Sequence, residues 1–175
     1  MPEPVFKGNV FLHPDYQALT ARYPELDVYT SAFKAYWLNG YHPLIGKDGI
    51  LPVPDIYAQQ AIGRAHVEPP VKSPKSYSST DKCWLIWQGV IVGSEVEIVV
   101  PTSNTFLLYC VDYNRNSCLL GYLDGNTRHA HDVLKEHSFR GLMQLRAGSF
   151  YNRVPRSGPM PVEQHDSLFS ESWMY

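Results

Sequence analysis

From Cys83 to Leu123 the chain alternates short apolar runs with turn residues, a rhythm unlike that of the stretches on either side. Cys83–Gln88, Val96–Val100, Thr105–Asp112 and Cys118–Leu123 are rich in Val, Ile, Leu and aromatic side chains, with Gly-Ser, Pro-Thr-Ser-Asn and Asn-Arg-Asn-Ser between them. Punctuated runs of this kind predict four consecutive strands joined by hairpin-type turns, an antiparallel meander. Upstream the period is helical. Leu26, Tyr29, Phe33, Tyr36 and Trp37 recur at three- and four-residue spacings, which predicts a helix over Leu26–Leu38 stopped by Asn39-Gly40. Pro14–Ala21 predicts a shorter helix, with proline suited to its first turn and Pro24 beyond its end. Pro4–Leu12 suggests a short strand, Tyr41–Gly49 is turn-rich, and Asp55–Glu68 fits either helix or strand. Pro69–Thr80 is too poor in apolar residues to pack and reads as a surface loop. After a turn at Asp124-Gly125-Asn126, Thr127 is placed to cap a helix carrying Val133, Leu134, Phe139, Leu142, Met143 and Leu145 as far as about Gly148.

Helices, then a sheet, then a helix indicate an α+β fold: N-terminal helices, an antiparallel sheet of about four strands and a C-terminal helix. The 175 residues suit one domain with a real core, assigned to residues 1–153. Residues 154–175 hold three prolines and little periodicity, and read as a tail that is either flexible or docked on the domain.

Composition adds two constraints. The net charge of −2 argues against a protein that holds naked nucleic acid by phosphate contacts alone. Charge is unevenly spread, however: Arg128–Arg153 carries a local excess of +3 and includes His129, His131 and His137, while the tail is −2. That stretch reads equally as a basic patch or as a solvated helix face. The three cysteines sit in or beside apolar runs with no C-x-x-C pair, which suggests buried free thiols in a reducing cytoplasm. No apolar run approaches the ~18 residues of a membrane span, and the start of the chain lacks signal-peptide character, so a cytoplasmic protein without membrane association is expected.

Several segments together resemble the YafO family of type II toxins. They are Phe33-x-x-Tyr36-x-x-x-Gly40-x-x-Pro43-x-x-Gly46-Lys47-Asp48, then Arg64-Ala65-His66-Val67 before a Pro-rich loop. Ser79–Gly89 or Phe106–Cys110 follows, then Cys118–Leu123, with His129 and His137 where the family's last histidine-bearing helix starts and continues. The resemblance covers about residues 30–150, with an additional stretch at Val90–Asn104 and a longer tail. It implies a RelE-like fold, ribosome-dependent cleavage of mRNA, and neutralisation by a cognate antitoxin protein. Proteins of that fold also include inhibitors that act by contact alone, so a non-enzymatic binding protein is the alternative.

RNA cleavage without a metal needs a base for the 2′-hydroxyl, cations for the phosphorane and an acid for the leaving oxygen. Histidine suits the proton roles, and arginine or lysine the charge role. Arg128-His129-x-His131 and His137-x-x-Arg140 supply these types together, and on a continuous helix His129, His137 and Arg140 would share a face. His129 or His137 is therefore the expected proton carrier, with Arg140 and Lys82 on the phosphate. Arg64 and His66 are second candidates for that chemistry and, with Arg128, His131 and Arg146, for RNA contact. Tyr122 and Tyr151 are candidates to stack a base. The histidine spacing matches no H-E-x-x-H or zinc-finger pattern, and there is no G-x-S-x-G, Walker or dinucleotide motif, so neither metal nor cofactor is expected.

Overall fold

The computed structural model describes residues 5–69, 79–93, 97–125, 129–153 and 157–175. In chain order its elements are β1 (Val10–Leu12), α1 (Pro14–Leu19), α2 (Leu26–Asn39), β2 (Ile45–Ile50), α3 (Asp55–Gln59), β3 (Ile62–Val67), α4 (Ser79–Trp87), β4 (Phe106–Val111), β5 (Ser117–Leu123), α5 (Ala130–Val133) and α6 (His137–Arg153). Two 3-10 turns, Val162–Ser167 and Glu171–Trp173, complete the chain. The fold is α+β. Its sheet has five strands in the order β1-β5-β4-β3-β2, with β1 parallel to β5 and every other pairing antiparallel.

The helical stripe of α2 packs as its spacing requires: Leu26, Tyr29, Phe33, Tyr36 and Trp37 are all buried. Gly40 ends the helix in the left-handed region (φ 80°), where its N–H donates to the Tyr36 carbonyl. At the start of α1, Pro14 takes the first turn and His13 Nδ1 accepts the Asp15 N–H at 3.1 Å.

All of β4 and all but the last residue of β5 are buried, because the sheet is covered on both faces. Alternation along β4 divides the core. Leu107, Tyr109 and Val111 face α2 and the tail residues Met160 and Leu168; Phe106, Leu108 and Cys110 face Tyr57 of α3, Leu134, and Met143 and Ala147 of α6. Each large apolar side chain so enclosed contributes about 1.5–3 kcal/mol by leaving water.

Four expectations change. The expected strand over Cys83–Gln88 is helical up to Trp87, the end of α4, and its indoles seal the outer edge of the sheet: Trp84 Nε1 donates to the Thr102 carbonyl at 3.1 Å and Trp87 Nε1 to that of Ile45 at 2.9 Å. No strand forms over residues 97–100, which are exposed; Val96 lies outside the described residues. The turn-rich Tyr41–Gly49 contains most of β2, held against β3 by backbone pairing despite two glycines. Gly46 is needed there, since a Cβ would sit 2.2 Å from the Pro101 carbonyl oxygen. The final helix is two helices, broken over residues 134–136, and its expected cap Thr127 is outside the described residues. Asp55–Glu68 holds one element of each kind, α3 and then β3.

Residues 157–175 lie on the domain. Met160 N–H donates to Val111 at 3.0 Å, and Lys7 and Tyr175 exchange backbone bonds with Trp173 and Val5 at 2.8 and 3.2 Å. Cys110 and Cys118 are buried free thiols and Cys83 is a half-buried one. Among the described residues no helix is long and apolar enough to cross a membrane.

Candidate functional site

Three distant segments meet around the ring of Phe106. β3 turns Arg64 and His66 to the face it shares with Phe106, and α5 lowers His131 onto the same ring. The His66 and His131 rings stand edge-on to Phe106 at 4.7 and 5.2 Å, and the Arg64 guanidinium carbon lies 5.0 Å from its centre. Arg64 Nη1 is 3.2 Å from His131 Nδ1. His129 stands 5.8 Å from His131 ring to ring, with its Nδ1 3.4 Å from the Asp132 carboxylate.

The protonation states follow from partners and burial. A guanidinium has only donors, so His131 Nδ1 accepts from Arg64 and its proton sits on Nε2. Partial burial lowers the His131 pKa, and the neighbouring Arg64 charge lowers it further. His66 is buried at 3% exposure with its Nδ1 against the backbone of Ser103, 2.7 Å from the carbonyl and 2.9 Å from the N–H. Burial pushes its pKa down to about 4, so it is neutral at pH 7. His66 thus shapes the cluster without charging it. Burial also lowers the pKa of half-buried Arg64, which remains a cation.

This arrangement holds a cation whose donor is lent to a weak acceptor. An anion arriving at Arg64 competes for that donor and, on winning it, leaves His131 Nδ1 free to take a proton.

The other sequence candidates are elsewhere. His137 opens α6 and is exposed. The break before it removes the continuous helix on which His129 was expected to share its face. Arg140 is half-buried and close enough to Tyr57 to lower that hydroxyl's raised pKa; its Nε has no hydrogen-bond partner among the described residues. Lys82 is exposed on α4 at the outer edge of the sheet. Arg146 is committed to structure: Nη1 donates to the Leu120 carbonyl at 2.7 Å, and Nε lies 3.3 Å from Asp15. Tyr122 belongs to the opposite face, its ring buried against Tyr23 at 5.1 Å and its hydroxyl bonded to Glu25 at 3.2 Å, so it has no free face for a base. Tyr151 is buried, donating to Gln60 at 2.5 Å. Arg128 lies outside the described residues.

Behind the sheet is a second polar cluster that sequence reasoning missed. Tyr36 donates to Asp48 Oδ2 at 2.9 Å and Tyr109 donates to Oδ1. Enclosure raises the Asp48 pKa to about 6, against the opposing pull of both hydroxyls. Arg115, fully buried, donates to the carbonyls of Trp37 (2.8 Å), Leu168 (2.5 Å) and Lys7. Its guanidinium carbon lies 4.4 Å from the Trp37 ring centre, 4.8 Å from Phe169 and 5.0 Å from Phe6. Asp48 and Tyr36 stand in the segment that resembles the toxin family, which was the available signal for them; Arg115, in an Asn-Arg-Asn turn, had none.

Compared with known proteins, the chain matches no family model, no curated protein and no solved structure.

Proposed function

We propose that this chain is an RNA-cleaving toxin of the YafO kind, acting on mRNA presented by the ribosome and held in check by an antitoxin protein. The observation that carries the reading is the Arg64–His131 bond, which joins residues 67 positions apart. It draws together two of the segments on which the sequence resemblance rests, and Lys47, from a third, lies close enough to lower the His66 pKa.

In this reading the scissile phosphate takes the Arg64 donor, and His131 Nδ1, so freed, accepts the 2′-hydroxyl proton. The 2′-oxygen attacks phosphorus, Arg64 faces the phosphorane charge, and His129, in its protonated form beside Asp132, donates its own proton to the 5′-oxygen as the P–O5′ bond breaks, leaving a 2′,3′-cyclic phosphate. His66 and Phe106 fix the positions of these groups. His137, Arg140 and Lys82 have no part in it. The ribosome supplies the grip on RNA that a chain of charge −2 lacks.

The test is to induce the chain in growing cells and map mRNA 5′ ends. Wild type should arrest growth and create new ends in translated messages. His131→Ala and Arg64→Ala should each lower cleavage about 10²–10⁴-fold. Absence of new ends with the wild type ends the nuclease reading. The exposed apolar side chains Val92 (79%) and Ile98 (71%) favour a second reading, inhibition by contact, under which both variants stay toxic.

A further inference from the structure

β2 has a gap in its row of side chains. Lys47, Gly49 and Leu51 alternate onto the face that carries Arg64 and His66, and Gly49 pairs directly with Arg64. With no side chain at Gly49, a hollow of about 200 Å³ opens there, lined by residues 47–52 together with Arg64 and His66. A Cβ built on Gly49 meets nothing within 4 Å, so backbone crowding does not require a glycine at this position.

We infer that this hollow receives a single nucleobase, that of the nucleotide beside the scissile phosphodiester. The inference rests on the RNA-cleavage reading and adds to it the place where a base is held. Size is the first argument: the hollow is smaller than the roughly 300–1,000 Å³ of pockets for drug-sized ligands, and suits one flat ring system. Chemistry is the second. Leu51 and Pro52 offer apolar contact, and the Arg64 guanidinium, backed by Phe106, provides a planar cation of the kind on which unstacked bases lie. Position is the third. Lys47 and Arg64 stand at the same hollow, so a base seated there brings its own phosphate to the Arg64–His131 pair.

The experiment titrates purified protein with each of the four ribonucleoside 3′-monophosphates and, separately, with inorganic phosphate, by calorimetry. At least one nucleotide should bind tenfold or more tightly than phosphate. Gly49→Leu, which fills the hollow and leaves Arg64 and Lys47 in place, should erase that excess while phosphate binding holds. Gly49→Ala, which adds only the unobstructed Cβ, should retain part of it and serves as the folded control, with thermal melting run on both variants. Equal binding of nucleotides and phosphate, or an excess that survives Gly49→Leu, overturns the subsite. Cleavage mapping separates the two claims. Nucleotide preference without cleavage keeps the subsite and removes the nuclease; cleavage whose base bias is unchanged in Gly49→Leu keeps the nuclease and removes the subsite.

Discussion

Two arginines lie against aromatic rings on opposite sides of one sheet, and they live differently. Arg115 is fully enclosed, caged by Phe6, Trp37 and Phe169, and gives its donors to three backbone carbonyls that cannot leave. Arg64 is half-buried, touches Phe106, and shares a donor with an imidazole that can be displaced. A cation whose partners are backbone atoms of three segments is a structural joint. A cation whose partner is titratable, beside a hollow, is available to a ligand. Solvent access and exchangeable partners, more than residue type, separate the two arginines.

The contrast is tested most severely by removing each guanidinium. Arg115→Met strands three buried carbonyls and should cost about 3–5 kcal/mol in chemical denaturation, lowering the melting temperature by about 10 °C. Arg64→Met should cost under about 1 kcal/mol and, under the proposed function, lower RNA cleavage about 10²–10⁴-fold. Similar losses of stability in the two variants would dissolve the distinction.

Acid should come next in size, and it acts on the open side. The folded pKa of His66 is depressed from 6.5 to about 4, so its contribution to stability is whole above pH 6.5 and is lost as the pH falls toward 4. That is a decline of about 3 kcal/mol, absent in His66→Asn. The closed side runs the other way. The Asp48 pKa is raised from 3.8 to about 6, so its contribution is greatest below pH 3.8 and disappears as the pH rises through 6. That shift corresponds to about 3 kcal/mol, and Asp48→Asn should remove it. Denaturation midpoints at half-unit steps from pH 4 to 7 read both; trends of the same sign would contradict the assignment. The smallest effect is expected from Tyr122→Phe, which loses one hydrogen bond to Glu25, about 0.5–1 kcal/mol, and should leave cleavage unchanged.

What the sequence revealed followed from periodicity. α2 was legible because its buried residues repeat at helical spacing, and β4 and β5 because fully covered strands are continuous apolar runs. The run around Trp84 and Trp87 carries no period, since consecutive apolar residues serve a strand or a helix alike, and it was read as the wrong element. β2 escaped because pairing with β3, rather than the propensity of Ile-Gly-Lys-Asp-Gly-Ile, makes it a strand. At the cluster around Phe106, the residue types were legible and their spatial arrangement was not. Arg64, His66 and His131 were named for their chemistry, yet helical spacing favoured His137 and Arg140, whose link to His129 depended on a helix that breaks over residues 134–136. Phe106, the ring that gathers the cluster, looked like one more core residue of its strand.

The Arg115 cage also bears on how the molecule is made. Its bonds reach back 108 positions to Lys7 and forward 53 to Leu168, so the donors of that buried cation cannot all be satisfied until Leu168 has been translated. Closure of the α2 side therefore waits on that segment, and before it docks Trp37 lacks the Phe169 ring that packs edge-on against it at 5.5 Å.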